Sequence, residues 1–125
     1  MSDAVITVTI PSDTRFVALA RLTGAGLGAE LDFDVDTIDD LRMATNELVA
    51  VVVEWAADND RSHVTLTFTL DGEALELRAS AGEFPDGAQP VELDPLTAQI
   101  LASVADSYEL GPTWGSLRKA RAGSA

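Results

Sequence analysis

Apolar and polar residues alternate from Ala4 to Ile10, with Ile6, Val8 and Ile10 on one side and Val5, Thr7 and Thr9 on the other. This period of two predicts a β-strand with one face buried, ended by Pro11. The period then lengthens. Ser12 can cap a helix from Asp13 to about Leu27, with Phe16, Leu19, Ala20, Thr23 and Leu27 on one face. Gly24, Gly26 and Gly28 weaken its end and read as fraying and a C-cap, since a phosphate cradle needs its glycines between a strand and the start of a helix. From Asp36 to Asp58 the residues Ile38, Leu41, Thr45, Leu48, Val52 and Trp55 recur at alternating steps of three and four. They predict a long amphipathic helix capped by Asp36 or Thr37, the best-determined element of the chain.

Alternation returns at residues 62 to 70, where Val64, Leu66, Phe68 and Leu70 point inward between threonines. Asp71-Gly72 is a tight-turn signal, and Leu75, Leu77 and Ala79 continue as the partner strand with Glu76 and Arg78 outside. Residues 80 to 94 carry Gly, Pro and acidic side chains without a period, which predicts a long loop and a candidate functional one. Asp94 then caps a helix with Pro95 in its first turn and Leu96, Ile100, Leu101 and Val104 on its face. Tyr108 to Leu110, a Gly111-Pro112 turn and Trp114 to Leu117 read as a closing hairpin, followed by a basic tail of Arg118, Lys119 and Arg121. This order predicts a single domain over residues 1–125. Its fold class is α/β of the α+β kind, a two-layer sandwich with a mixed, mostly antiparallel sheet and about three helices on one face.

Composition narrows the chemistry. The net charge is −13, from 21 acidic against 8 basic residues, so direct contact with nucleic acid or an anionic membrane is not expected, while basic protein partners are attracted. The absence of cysteine excludes disulfides and thiolate chemistry, and a single histidine, His63, cannot assemble a metal cluster. His63 reads as a solvent-edge residue, and Trp55 and Trp114 as core or interface residues. No apolar run reaches the ~20 residues that span a bilayer, and MSDAVITV lacks a basic segment before an apolar one, which sets the expectation of a cytoplasmic protein. Glu47 is a carboxylate in the middle of an otherwise apolar helix: either chemistry or a solvated flank.

Four stretches in succession, IPSDTRFVALARL, DLRMATNELVAVVVEWA, LELRASAGEF and LTAQILASVADSYEL, resemble the anti-sigma-factor serine-protein kinases of the RsbW type, which have the histidine-kinase-like ATPase fold. The resemblance covers nearly the whole chain and is clearest from Asp40 to Ala56. There the family carries Asp-Leu-Arg, then a Glu and, four residues later, an Asn. That spacing keeps both side chains on one helix face, the Glu to act as general base and the Asn oxygen to hold Mg²⁺. Glu47 matches the Glu. Val51 stands at the Asn position and offers no oxygen, and Asn46 points about 100° away around the helix. The family's Asp-x-Gly-x-Gly box, whose Asp accepts from the adenine amino group, matches Ser80, Ala81, Gly82, Glu83 and Phe84, so Ser80 replaces the Asp, Gly82 is kept and the second Gly is missing. PVELDPLTAQ replaces the glycine-rich lid, and Asp86, Glu92 and Asp94 there oppose a triphosphate.

The resemblance therefore implies a protein that sequesters an RNA polymerase sigma factor, is countered by an anti-sigma-factor antagonist, commonly dimerises, and binds ATP or ADP with Mg²⁺ weakly or not at all. Arg15, Arg21, Asp32, Asp34 and Asp36 are candidate contacts for a charged partner, with a solvated helix face and loop weighed at least equally. Two further readings stay open: an active ATP-dependent serine kinase that phosphorylates the antagonist, and a module that keeps the fold with another signalling partner.

Overall fold

A computed structural model describes residues 4–123. Five strands and three helices run in the order β1 (Ala4–Pro11), a 3-10 turn (Thr14–Phe16), α1 (Val17–Glu30), α2 (Val35–Asp58), β2 (His63–Leu70), β3 (Ala74–Ser80), α3 (Pro95–Val104), β4 (Ser107–Leu110) and β5 (Trp114–Ala120). The sheet order is β1-β2-β3-β5-β4. The helices pack on one face, giving the expected α+β two-layer sandwich, which fits a histidine-kinase-like ATPase fold. All four strand pairings are antiparallel, so the mixed sheet allowed by the sequence is not found. The reason is local: β2–β3 and β4–β5 are hairpins, and β5 enters beside β3 running against it.

Alternation places the sheet's inner face as expected. Val64, Leu66, Phe68, Leu77, Ala79 and Leu117 are buried under the helices, while Glu76 and Arg78 stay outside. Asp71-Gly72 makes the predicted turn, with Gly72 at φ 92° and the Asp71 carboxylate accepting from the backbone N–H groups of Glu73 and Ala74. The basic residues expected in a tail belong to or adjoin β5. Lys119 donates to the Val104 carbonyl and sits 3.5 Å from Asp40, and Arg121 donates to the carbonyls of Leu31 and Gly72. Pairing with β3 draws them in.

The first helix departs furthest from its reading. Asp13, not Ser12, caps the opening 3-10 turn by accepting from the Arg15 N–H, because the Ser12 hydroxyl donates to the Arg61 carbonyl. α1 runs through its glycines to Glu30 without fraying at them, and its buried face is Val17, Ala20, Gly24 and Gly28. Leu19 is correspondingly exposed. The glycines permit close approach of the two helices: a Cβ on Gly28 would lie 3.1 Å from Phe33 and 3.3 Å from Leu41. α2 in contrast follows its period, with Leu41, Ala44, Leu48, Val49, Val52, Val53 and Ala56 fully buried. Its cap is Asp34, two or three residues earlier than expected, whose carboxylate accepts from the Thr37 N–H at 2.8 Å. α3 buries Thr97 and Leu101 and leaves Leu96 exposed. No helix among the described residues is long and apolar enough to cross a membrane.

Candidate functional site

The α2 face turned away from the sheet carries Glu47, Val51, Glu54 and Asp58 at steps of four, three and four, so all four project along one side of the helix. Glu47 and Val51 are half-buried; Glu54 and Asp58 are exposed. Opposite them run the end of the 81–94 loop and the start of α3. A shallow cleft of about 280 Å³ lies between, with Val51, Trp55 and Val91 as its apolar floor and Glu54, Asp58, Glu92 and Asp94 at its rim. Asp94 also caps α3, accepting from the Thr97 N–H at 2.8 Å and from its hydroxyl.

The loop is held down rather than free. Trp55, one turn beyond Val51, donates its indole N–H to the Gln89 carbonyl at 2.6 Å and stacks on Phe84 with ring centroids 6.4 Å apart. The Ala81 and Val91 N–H groups donate to the carbonyls of Thr113 and Pro112, the Thr113 hydroxyl donates to the Gly82 carbonyl, and Arg61 donates to the Glu83 carbonyl. Ser80, at the adenine-contact position of the resemblance, accepts from the Gly82 N–H through its own hydroxyl at 3.3 Å. Gly82 adopts φ 94°, a conformation that favours glycine and lets the chain leave β3 sharply.

These residues do not suit a magnesium triphosphate. The hydrocarbon of Val51 supplies no ligand oxygen, four carboxylates rim the cleft, and no basic side chain lines it. All eight basic residues are engaged elsewhere: Arg15 with Asp13, Arg42 with Asp39, Arg118 with Asp71, Lys119 with Asp40 and Asp106, Arg21 with Asn46, Arg61 with Glu83, Arg78 over Trp114 and Arg121 with Leu31 and Gly72. Among the described residues no group of three or more His, Asp or Glu is placed to hold a metal ion.

The candidate partner contacts are not brought together in one patch. Arg15 forms an ion pair with Asp13 at 2.8 Å, and the same contacts hold the Asp13 carboxyl below its usual range. Arg21 donates to the Asn46 side-chain oxygen at 2.6 Å, which occupies that amide and takes it out of any metal role. Asp34 serves α2 as its cap, and this hydrogen bond with Thr37 lowers its pKa, aided slightly by Lys119. Asp32 turns the chain between α1 and α2 at φ 59°, and Asp36 is exposed in the first turn of α2. His63 is exposed at the start of β2 beside the Ser62 hydroxyl, a solvated position as expected. The rim carboxylates Glu54 and Asp58 escaped the sequence reading, although their spacing from Glu47 and Val51 was the available signal.

No family model matches the chain. Among curated proteins it is similar to the serine-protein kinase RsbW of Bacillus cereus, 33% identical over 75 residues, which cover 60% of this chain and 47% of that protein. The serine-protein kinases RsbW of Bacillus mycoides and Bacillus thuringiensis are each 32% identical over 72 residues, 58% of this chain and 45% of theirs. The match thus spans about half the length of these curated relatives.

Proposed function

We propose, on the premise that this chain is of the RsbW type, that it is an anti-sigma factor which sequesters an RNA polymerase sigma factor and yields it to an anti-sigma-factor antagonist. It acts as a homodimer and without nucleotide. The observation that carries this reading is the cleft beside Val51, where the floor is hydrocarbon and four carboxylates form the rim with no basic side chain to receive a triphosphate. Each unit of phosphate charge brought to about 4 Å from a carboxylate there costs on the order of 1 kcal/mol in water and 4 kcal/mol near a protein surface. Capture of a protein needs no such cleft, only a surface.

A second reading, an ATP-dependent serine kinase acting on the antagonist, is favoured by Glu47 alone. Its half-buried carboxylate has no side-chain partner among the described residues, and it stands at the position to which the resemblance assigns a general base. Titration calorimetry with Mg-ATP, run beside co-precipitation with a panel of purified alternative sigma factors, separates the two. The anti-sigma reading expects no nucleotide heat and capture of a sigma factor in nucleotide-free buffer. Micromolar Mg-ATP affinity, phosphate transfer to an antagonist serine, or no sigma factor retained would each overturn it.

A further inference from the structure

We infer that the groove between α2 and the 91–104 segment is a docking surface for a basic amphipathic helix of another protein. Two hollows along α2 mark it. The first is the acidic cleft beside Val51; the second, about 350 Å³, has apolar walls from Met43, Leu96, Ile100 and Val104. One side of α2 joins them, because Met43, Glu47, Val51, Glu54 and Asp58 follow each other at steps of four, four, three and four. At ~1.5 Å per residue this ridge is about 22 Å long, the length of a helix of about 15 residues.

The pattern selects the occupant. Met43 is 52% and Leu96 67% exposed, so large apolar side chains stand in water at one end of the groove. Carboxylates alternate with them on the α2 side and, as Glu92 and Asp94, on the opposite side. Every basic side chain of this chain is engaged elsewhere, so nothing within the fold neutralises that rim. A helix with an apolar stripe at i, i+3, i+4 and i+7, flanked by Lys or Arg, satisfies both requirements at once. A second copy of this chain, at net charge −13, brings like charge to the rim. This inference stands apart from the anti-sigma reading, since it concerns the chemistry of the groove and not the identity of the partner.

The test is fluorescence anisotropy with a labelled Leu/Lys peptide of about 15 residues in that helical pattern, against a scrambled peptide of the same composition. The patterned peptide is expected to bind, more weakly as salt rises, and the scrambled one to bind at least about tenfold less well. Glu54→Lys with Glu92→Lys weakens binding about tenfold or more, Leu96→Ser about threefold or more, and Glu76→Lys, on the open sheet face, leaves it unchanged. These four positions are exposed, so circular dichroism confirms that the variants fold. Equal binding of the scrambled peptide, indifference to the groove substitutions, an equal loss with Glu76→Lys, or a sedimentation-detected dimer abolished by Leu96→Ser would overturn the inference. A chain that captures the peptide but no sigma factor upholds the groove and defeats only the earlier proposal.

Discussion

The two sides of α2 belong to one helix and meet opposite surroundings. Toward the sheet, Leu41, Leu48, Val52 and Ala56 have no exposed surface, and Leu48 lies so close to β5 that a Cβ on Gly115 would stand 2.6 Å from its Cδ1. Toward α3, Glu47 and Val51 are only half-covered, and Glu54 and Asp58 are exposed. The first side has one shape that every neighbour enforces; the second is shaped by a short helix and by a loop that individual hydrogen bonds pin in place. The difference teaches where a change of sequence is tolerated: side chains that line the groove can be exchanged without touching the packing that makes the fold.

The largest expected effect is on the packed side. Leu48→Ala removes a fully buried side chain between α2 and β5 and is expected to cost about 2–5 kcal/mol in urea unfolding. A loss below about 1 kcal/mol would mean that this interface relaxes as freely as the groove, and the contrast would fail. Gly115→Ala probes the same contact from β5, and overpacking there is expected to cost about 1–3 kcal/mol. Gly24→Ala is its control. The added Cβ would meet Thr45 and Phe68 at ordinary distances of 3.6 and 3.7 Å, so the gain in helix propensity stabilises by about 0.5–1 kcal/mol.

These glycines show what the sequence could and could not convey. Where an element meets a broad apolar layer its period is readable, which is why α2, the β2–β3 hairpin and the cap at Asp94 stand where the pattern placed them. α1 packs through small residues, so its buried face of Val17, Ala20, Gly24 and Gly28 leaves a faint apolar period while the exposed Leu19 and Leu22 mimic one. The cap at Asp34 was hidden because four Asp residues from 32 to 39 offer nearly the same chemistry, and only the tertiary turn selects among them. Of the residues singled out by the resemblance, Val51 lines the cleft, while Ser80 and Gly82 stand outside its lining at the end of β3. The pinning of the loop by Trp55 was not legible, since a hydrogen bond over 34 residues has no local signature.

On the groove side effects should be smaller and confined to the loop. Trp55→Phe keeps a ring to stack on Phe84 but removes the donor to Gln89, whose carbonyl can turn to water because the residue is exposed. Global stability is expected to fall by about 0.5–1.5 kcal/mol. Hydrogen exchange at the Ala81 and Val91 amides, bonded to Thr113 and Pro112, should quicken more than exchange in β2 and β3. Equal acceleration throughout would show the loop to be part of the same cooperative unit as the sheet.

The smallest effect falls at the start of α2, where its two sides have not yet diverged. Asp34→Asn keeps an N-cap side chain but removes the charge that the Thr37 hydrogen bond, and to a lesser degree Lys119, stabilises. In the folded chain those contacts lower the Asp34 pKa from its ordinary 3.8. Folding then favours the ionised carboxyl, so its contribution is full above that ordinary value and disappears as pH falls through the lowered one. The wild type should exceed Asp34→Asn in Tm by a constant margin from neutral pH down to about 4 and lose that margin only in stronger acid. Asp13 and Asp71 are lowered in the same direction and destabilise both proteins alike on acidification, so the difference between them isolates Asp34. A margin that persists unchanged through acid would release Asp34 from its capping role and return it to the exposed carboxylates available to a partner.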